Sequence, residues 1–165
     1  MKSNSAKSPS TSKFWPVLGL AAITGSRATS GPTFLSKYLA HRPLAPGLAA
    51  SPLRFLAKPG VATALRLMIA GEMVGDKLPQ TEARIVPQQL GMRAASGALV
   101  GATWYKAQGG SALTGALVGG LGAAAATYIT YLLRKNISEQ THTPSELVGL
   151  GEDMLVLAGG NALAR

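Results

Sequence analysis

Cysteine is absent from this chain of 165 residues, and aromatic residues make up only 5% of it. Without cysteine there is no disulfide, no thiolate metal site, no iron-sulfur cluster and no cysteine nucleophile. The two histidines, His41 and His142, stand far apart without the neighbouring ligands of a short-spaced zinc site, so each is predicted to lie in a loop. The sequence predicts neither a metal site nor a cofactor.

Acidic residues are missing from the first 71 positions, which carry nine lysines and arginines. Residues 72–165 carry seven residues of each sign, so the net charge of +9 arises entirely in the first part. A nucleic-acid-binding surface would gather basic residues on one face beside aromatic or groove-reading residues. Here the basic residues are spread among apolar segments, as in the positive-inside bias of membrane proteins, so nucleic acid is not an expected partner.

Large side chains are scarce as well, whereas glycine contributes 20 residues and apolar residues make up 47% of the chain. A water-soluble core is filled by large side chains, while helices in lipid approach each other through Gly, Ala, Ser and Thr. With only 14% charged residues, the composition favours a membrane protein whose main partner is the lipid bilayer.

The first 13 residues place three lysines among Ser, Thr and Pro and are predicted to be a flexible basic tail before a single membrane domain, 14–165. The next 13 residues, up to Arg27, are apolar and have the length of a signal-peptide core, but no persuasive cleavage site follows. Abundant Ser and Arg without acids also resemble a transit peptide, which leaves an organellar membrane open as the location.

Residues 107–133 contain no charge over 27 positions, and about 20 residues suffice to cross the hydrocarbon core. Small residues recur there at every fourth position, which on a helix builds a ridge that a second helix can approach closely. The ridge is Ser111, Gly115, Gly119, Ala123 and Thr127. This segment is predicted to be a membrane span.

Three further apolar segments, at 61–78, 88–105 and 145–164, are interrupted by charges. The second contains Gly97 and Gly101 as a GxxxG step for helix packing, and the proline-rich residues 41–59 are predicted to be a surface connection. The fold class is therefore all-α, an integral membrane bundle of about four to five hydrophobic segments. Because Lys13 and Arg42 both prefer the cytoplasmic side, residues 14–40 are expected to dip into the membrane and return.

Two similar stretches, GSRATSG at 25–31 and GMRAASG at 91–97, each place an arginine among small residues and agree at five of seven positions. A Gly-Glu step with an aspartate follows each of them. The pattern predicts two related halves, 14–80 and 88–164, each with a broken helix, as in many transporters. The alternative is chance similarity in a chain rich in Gly and Ala.

The charges within these segments are expected to face the bundle interior, because their exposure to lipid costs several kcal/mol. They could pass or bind a small ion or solute. Alternatively they are internal ion pairs of a non-transporting structural or assembly protein, with Arg27 bound to Glu72 and Arg93 to Glu152, or crossed, and with the glycine ridge as a homo-oligomer interface. The candidate polar residues are Arg27, Glu72, Asp76, Lys77, Arg93, Glu152 and Asp153.

Enzymatic motifs give little support to catalysis. Gly120, Gly122 and Ala125 have the spacing of a dinucleotide fingerprint, but the preceding strand that this motif needs is not predicted. A P-loop, a G-x-S-x-G elbow and an H-E-x-x-H motif are all absent from the sequence. No enzymatic activity is predicted, although a membrane enzyme that uses only carboxylates stays open.

The order GSRATSGP, GEMVGDKLP, a Gly/Ala-rich span and LGEDMLVLA resembles the small bacterial membrane proteins of domain-of-unknown-function family 4126 over roughly residues 16–163. Its sharpest marks are Glu72, Asp76, Lys77 and Pro79, followed by Glu152 and Asp153. The resemblance implies an integral membrane protein with several helices and no established biochemical activity. The basic tail before residue 14 is longer than this family leads one to expect.

Overall fold

The computed structural model describes residues 11–75, 86–141 and 145–163. These residues form helices and contain no strand, which confirms the all-α class. The α-helices are α1 (Thr11–Ser26), α2 (Ser30–Ala40), α3 (Pro46–Ala49), α4 (Pro59–Gly75), α5 (Pro87–Ala107), α6 (Ala112–Thr141) and α7 (Ser145–Leu163), with a 3₁₀-helix at Pro52–Ala57. Because α1 starts at Thr11, the last three residues assigned to the tail belong to the first helix.

Helices α1 and α2 form an antiparallel hairpin around a turn at residues 27–29. The start of α2 lies against α1, since a Cβ placed on Gly31 would come within 3.1 Å of the Leu20 carbonyl oxygen. The end of α2 reaches the end of α5, where the ring centroids of Tyr38 and Trp104 are 5.4 Å apart. Residues 14–40 thus run along the bundle and return in the opposite direction.

Helix α2 is the centre of the bundle, with eight of its 11 residues buried. Helix α4 runs antiparallel to it, because Ser36 Oγ donates to the Leu56 carbonyl just before α4 and Thr33 Oγ1 donates to the Leu65 carbonyl within it. Helix α7 runs parallel to α2, with Gly160 packed on the Phe34 ring. The hairpin is therefore enclosed by helices from later in the chain.

Proline marks the start of four elements, α3, the 3₁₀-helix, α4 and α5. At the first helical position its missing N–H costs nothing and its fixed φ is already helical. In consequence, residues 41–59 are more than the surface connection predicted for them. Their two short helices bury Leu48 and Leu56 in the hydrophobic core.

The charge-free run at 107–133 begins with a turn, where Gly109, Gly110 and Ser111 provide residues typical of turns. Helix α5 ends at Ala107, Gly109 takes a left-handed φ of 68°, and α6 begins at Ala112. Only glycine adopts that φ without strain. The segment that is long and apolar enough to cross a membrane is Ala112–Gln140, and it is the one such segment among the described residues.

Helices α5 and α6 meet at their glycines. A Cβ on Gly101 would overlap the carbonyl oxygen of Gly115, and a Cβ on Gly97 would overlap that of Gly119. Helix α1 crosses α6 in the same way, since a Cβ on Gly25 would lie 2.8 Å from the Ala123 carbonyl oxygen. The backbones are thus in direct contact, as in helix pairs packed through small residues.

Candidate functional site

The turn between α1 and α2 is where the predicted charges converge. Arg27 is buried and Ala28 and Thr29 are half-buried, so the N–H and C=O groups of this turn need hydrogen-bond partners within the protein. Four other helices supply a polar side chain to this turn, to the arginine that begins it or to the last carbonyls of α1 just before it. These side chains are Glu72 from α4, Arg93 from α5, Thr127 from α6 and Asp153 from α7.

Arg27 is the first residue of the turn and binds Asp153. Both side chains are buried, with 2% and 9% of their surfaces exposed. The guanidinium donates Nε–H to Oδ1 at 2.7 Å, and Nη2 donates to the same oxygen. The structure thus gives Arg27 a carboxylate from α7 and not Glu72 from α4. The crossed pairing of Arg27 with Glu152 involves a side chain outside the described residues.

Glu72 binds the backbone at the start of α2. Its carboxylate accepts from the Ala28 N–H at 2.9 Å, from the Thr29 N–H at 3.2 Å and from the Thr29 hydroxyl. The first N–H groups of a helix have no partner within the helix and carry a partial positive charge. Glu72 thus acts as an N-terminal cap that is supplied by another helix.

Arg93 binds the opposite end of the break, at the last carbonyls of α1. Its Nη1 donates to the Gly25 and Ser26 carbonyl oxygens, both at 2.8 Å. Thr127 Oγ1 donates to the Gly25 carbonyl at 3.1 Å, and Ser96 Oγ donates to that of Ala28 at 2.6 Å. A cation is favourable here because the carbonyl end of a helix carries partial negative charge.

The prediction of two matched helix breaks is wrong for the second stretch. Residues 91–97 lie within the continuous helix α5, and only residues 25–31 contain a turn. The glycine that ends the second stretch, Gly97, packs against α6 and has no role in a turn. Arg93 therefore binds the backbone at the break between α1 and α2, and its own helix is not broken.

The remaining predicted polar residues lie elsewhere. Asp76 and Lys77 are outside the described residues, as is the side chain of Glu152. Among the residues that the structure describes, no group of three His, Asp or Glu side chains could hold a metal ion. Sequence reasoning missed Ser96, and it assigned Thr127 to packing alone although its hydroxyl also binds the turn.

Five of the six residues assigned to helix packing lie at the α5–α6 interface, and Ser111 does not. The five are Gly97, Gly101, Gly115, Gly119 and Ala123. Ser111 is exposed and precedes α6, where its carbonyl accepts from the Gly115 N–H at 3.1 Å. Because the turn at Gly109 delays the start of α6 to Ala112, the ridge begins at Gly115.

Substitution of Glu72 by glutamine should destabilise the protein by about 1.5–3 kcal/mol, the usual worth of hydrogen bonds to a charged group. Glutamine has a similar shape but only one acceptor oxygen and no charge for the N-terminus of α2. The free energy of unfolding in detergent measures the loss. The matched control is Glu139→Gln, whose carboxylate is exposed and 4.0 Å from Lys135, where about 0.5 kcal/mol or less is expected. Equal losses in both variants would contradict a capping role.

The described polar groups thus close on the turn itself, with an anionic cap on α2, a cationic cap on α1 and an ion pair to α7. Such an arrangement stabilises a buried helix break. No family model matches the chain, and neither a curated protein nor a solved structure matches it.

Proposed function

We propose that this chain is a small integral membrane protein in which the buried charges hold the α1–α2 hairpin inside a helical bundle and do not pass a solute. The observation that carries the proposal is the exposure of α6. Ala112–Gln140 is apolar enough to cross a bilayer, yet only 17% of its most hydrophobic window is buried. The core helix of a soluble protein would be mostly buried.

The exposed surface of α6 is made of large apolar side chains. Leu121 is 70% exposed, and the other members of this surface are Leu113, Leu117, Ile129, Leu132 and Leu133. The buried residues are the small ones at every fourth position. A contiguous apolar surface of this kind is rare on a soluble monomer, whereas small residues inside and large ones outside suit helices in lipid.

Helices α4 and α7 support a bundle of several membrane segments. Leu67 and Met68 of α4 and Met154 and Leu155 of α7 are exposed in the same way as the leucines of α6. Each of these helices also buries residues on the side that faces the hairpin, including Ile69 of α4 and Val156 of α7. Contact with acyl chains would remove these exposed side chains from water.

The hairpin turn supports a structural role for the charges. The turn begins 14 residues after Lys13, about 21 Å along a helix at 1.5 Å per residue. Non-helical backbone at membrane depth is stable only where protein groups satisfy it. Arg93, Ser96 and Glu72 provide this satisfaction for residues 25–29.

Passage or binding of a small ion or solute is the competing proposal. Its support is Glu72, which is only half-buried and precedes Asp76 and Lys77 in the chain. It is weaker because the described carboxylates, Glu72 and Asp153, already bind groups of this protein. A structural pair tolerates joint replacement by apolar residues, whereas a solute site does not.

A bacterial inner membrane is the proposed location, and a non-transporting structural or assembly role is the proposed activity. The exposed apolar surface of α6 would suit lipid or a second copy of the chain. The resemblance to domain-of-unknown-function family 4126 stays a prediction from the sequence, and the proposed function does not depend on it.

Joint replacement of Leu117 and Leu121 by lysine should prevent stable membrane insertion, because a lysine near the centre of a span costs about 2.5–3.5 kcal/mol. Both residues lie on the exposed face of α6, four residues apart. Alkaline carbonate extraction of membranes measures the retained fraction. The control, Asn136→Lys with Gln140→Lys, has the same spacing at exposed positions near the end of the same helix and should stay in the membrane. Release of the unaltered protein by carbonate would refute the membrane assignment.

A further inference from the structure

One end of the bundle combines basic residues from several elements. We call it the basic end, and it is where α1 begins, α2 and α5 end, and α6 begins. Its basic residues are Lys13, Lys37, Arg42, Arg54, Lys58 and Lys106. None of the acidic side chains that the structure describes lies there, since Glu72 and Asp153 are at the hairpin turn and Glu139 is near the end of α6.

Contacts between elements hold these residues close together. The Arg42 guanidinium carbon lies 4.4 Å from the centroid of the Tyr38 ring, which packs on Trp104. A Cβ on Gly47 would lie 3.1 Å from the Lys106 carbonyl oxygen, and a Cβ on Gly110 would lie 3.6 Å from Lys13 Nζ. The positive charge is therefore concentrated on one surface of the folded protein.

Aromatic side chains surround this surface. Trp15 is 66% exposed beside Phe14, and Phe55 is also exposed. Along α6, Tyr128 and Tyr131 lie 16 and 19 residues after Ala112, about 24 and 28 Å away. That separation is close to the ~30 Å hydrocarbon thickness of a bilayer, and tryptophan and tyrosine are enriched at both of its interfaces.

We infer that the basic end binds the phosphate headgroups of anionic phospholipids in one leaflet. The inference rests on the proposed membrane location, because headgroups meet this surface only if the bundle lies in a bilayer. The planar guanidinium of Arg42 matches the geometry of a phosphate group, and it lies over the Tyr38 ring in a cation–π contact. The basic end, with the start of α1, then faces the leaflet that is richer in anionic lipid, which in cells is the cytoplasmic one.

The test uses the full chain purified in a non-ionic detergent and titrated with phosphatidylglycerol or with phosphatidylcholine of the same acyl chains. The signal is the fluorescence of the two tryptophans in the chain, Trp15 and Trp104, both at the basic end. Phosphatidylglycerol should give a saturable change that weakens with added salt. Phosphatidylcholine should give none.

The variant Arg42→Gln with Lys58→Gln removes two exposed charges from the basic end. It should raise the half-saturating phosphatidylglycerol concentration about 30-fold, given the contribution of each basic residue near an anionic surface. The matched control, Arg134→Gln with Lys135→Gln, removes one arginine and one lysine from the far part of α6 and should leave that concentration unchanged. Equal loss in both double variants overturns the inference.

Two further outcomes decide whether the basic end selects anionic lipid. An equal response to phosphatidylcholine, to inorganic phosphate or to duplex DNA shows that the surface lacks this selectivity, and overturns the inference. Retention of the protein in carbonate-washed membranes without any phosphatidylglycerol response leaves the membrane location intact and overturns the lipid inference alone. Selective binding that only the first double variant loses supports it.

Discussion

Replacement of Asp153 by leucine should destabilise the protein by about 3–5 kcal/mol, because it removes a hydrogen-bonded counter-charge from the buried Arg27 guanidinium. The Arg27 guanidinium donates two hydrogen bonds to one Asp153 oxygen and is almost fully excluded from solvent. Replacement of Arg27 by methionine should cause a similar loss, since the carboxylate then stays in the bundle interior. Denaturant unfolding in detergent measures each change.

The double variant Arg27→Met with Asp153→Leu should recover most of the loss. An apolar pair of similar volume is often as stable as the buried ion pair that it replaces. The coupling energy from the four proteins isolates the pair from the separate effects of each substitution. Losses that simply add would show that Arg27 and Asp153 do not act as a pair, and would favour separate roles for the two charges.

Substitution of Gly101 by alanine should destabilise the protein by about 3 kcal/mol or more, above the usual range for an overpacked core. The added methyl group would overlap the Gly115 carbonyl oxygen, and a backbone atom cannot move aside as a side chain can. To remove this overlap, α5 and α6 would have to move apart along their whole glycine contact. The unfolding midpoint in detergent should fall accordingly.

The control for Gly101 lies in the same helix. Gly91 has open space around its potential Cβ, so alanine there should be neutral or should stabilise α5 by up to about 1 kcal/mol through helix propensity. A loss at Gly91 as large as the loss at Gly101 would mean that α5 needs glycine for its own conformation. The contrast between the two positions therefore tests the close approach of the helices.

The contact between α5 and α6 could be predicted from the sequence because this contact depends only on the size and spacing of its residues. Gly115, Gly119 and Ala123 recur at the helical period, and any helix that contains them must present them together. Ser111 fits the same period in the sequence but precedes the helix. The left-handed turn at Gly109 decides this, and the absence of charge alone gives no sign of where one helix ends and the next begins.

The partner of Arg27 could be predicted only approximately. Glu152 and Asp153 are adjacent, and adjacent helical residues point about 100° apart, so the choice between them depends on how α7 is rotated against the hairpin. Tertiary packing of Gly160 on Phe34 fixes that rotation. A sequence pattern contains no information on it.

The two arginine stretches look alike in sequence and differ in structure for a related reason. In both, small residues allow a close approach of another backbone. At residues 25–31 the approach is between α1 and α2 across a turn, whereas at residues 91–97 it is between two long helices. Small residues in the sequence indicate that another segment approaches the backbone closely. Which segment approaches it depends on the whole fold.

The hairpin turn also sets an order for biogenesis. The hairpin of α1 and α2 is synthesised before the groups that satisfy its turn, which come from positions 72, 93 and 127, and before the counter-charge of Arg27 at position 153. Bare carbonyl and amide groups are unstable in hydrocarbon until such partners arrive. In a bilayer this hairpin would therefore settle only after α7 has been made.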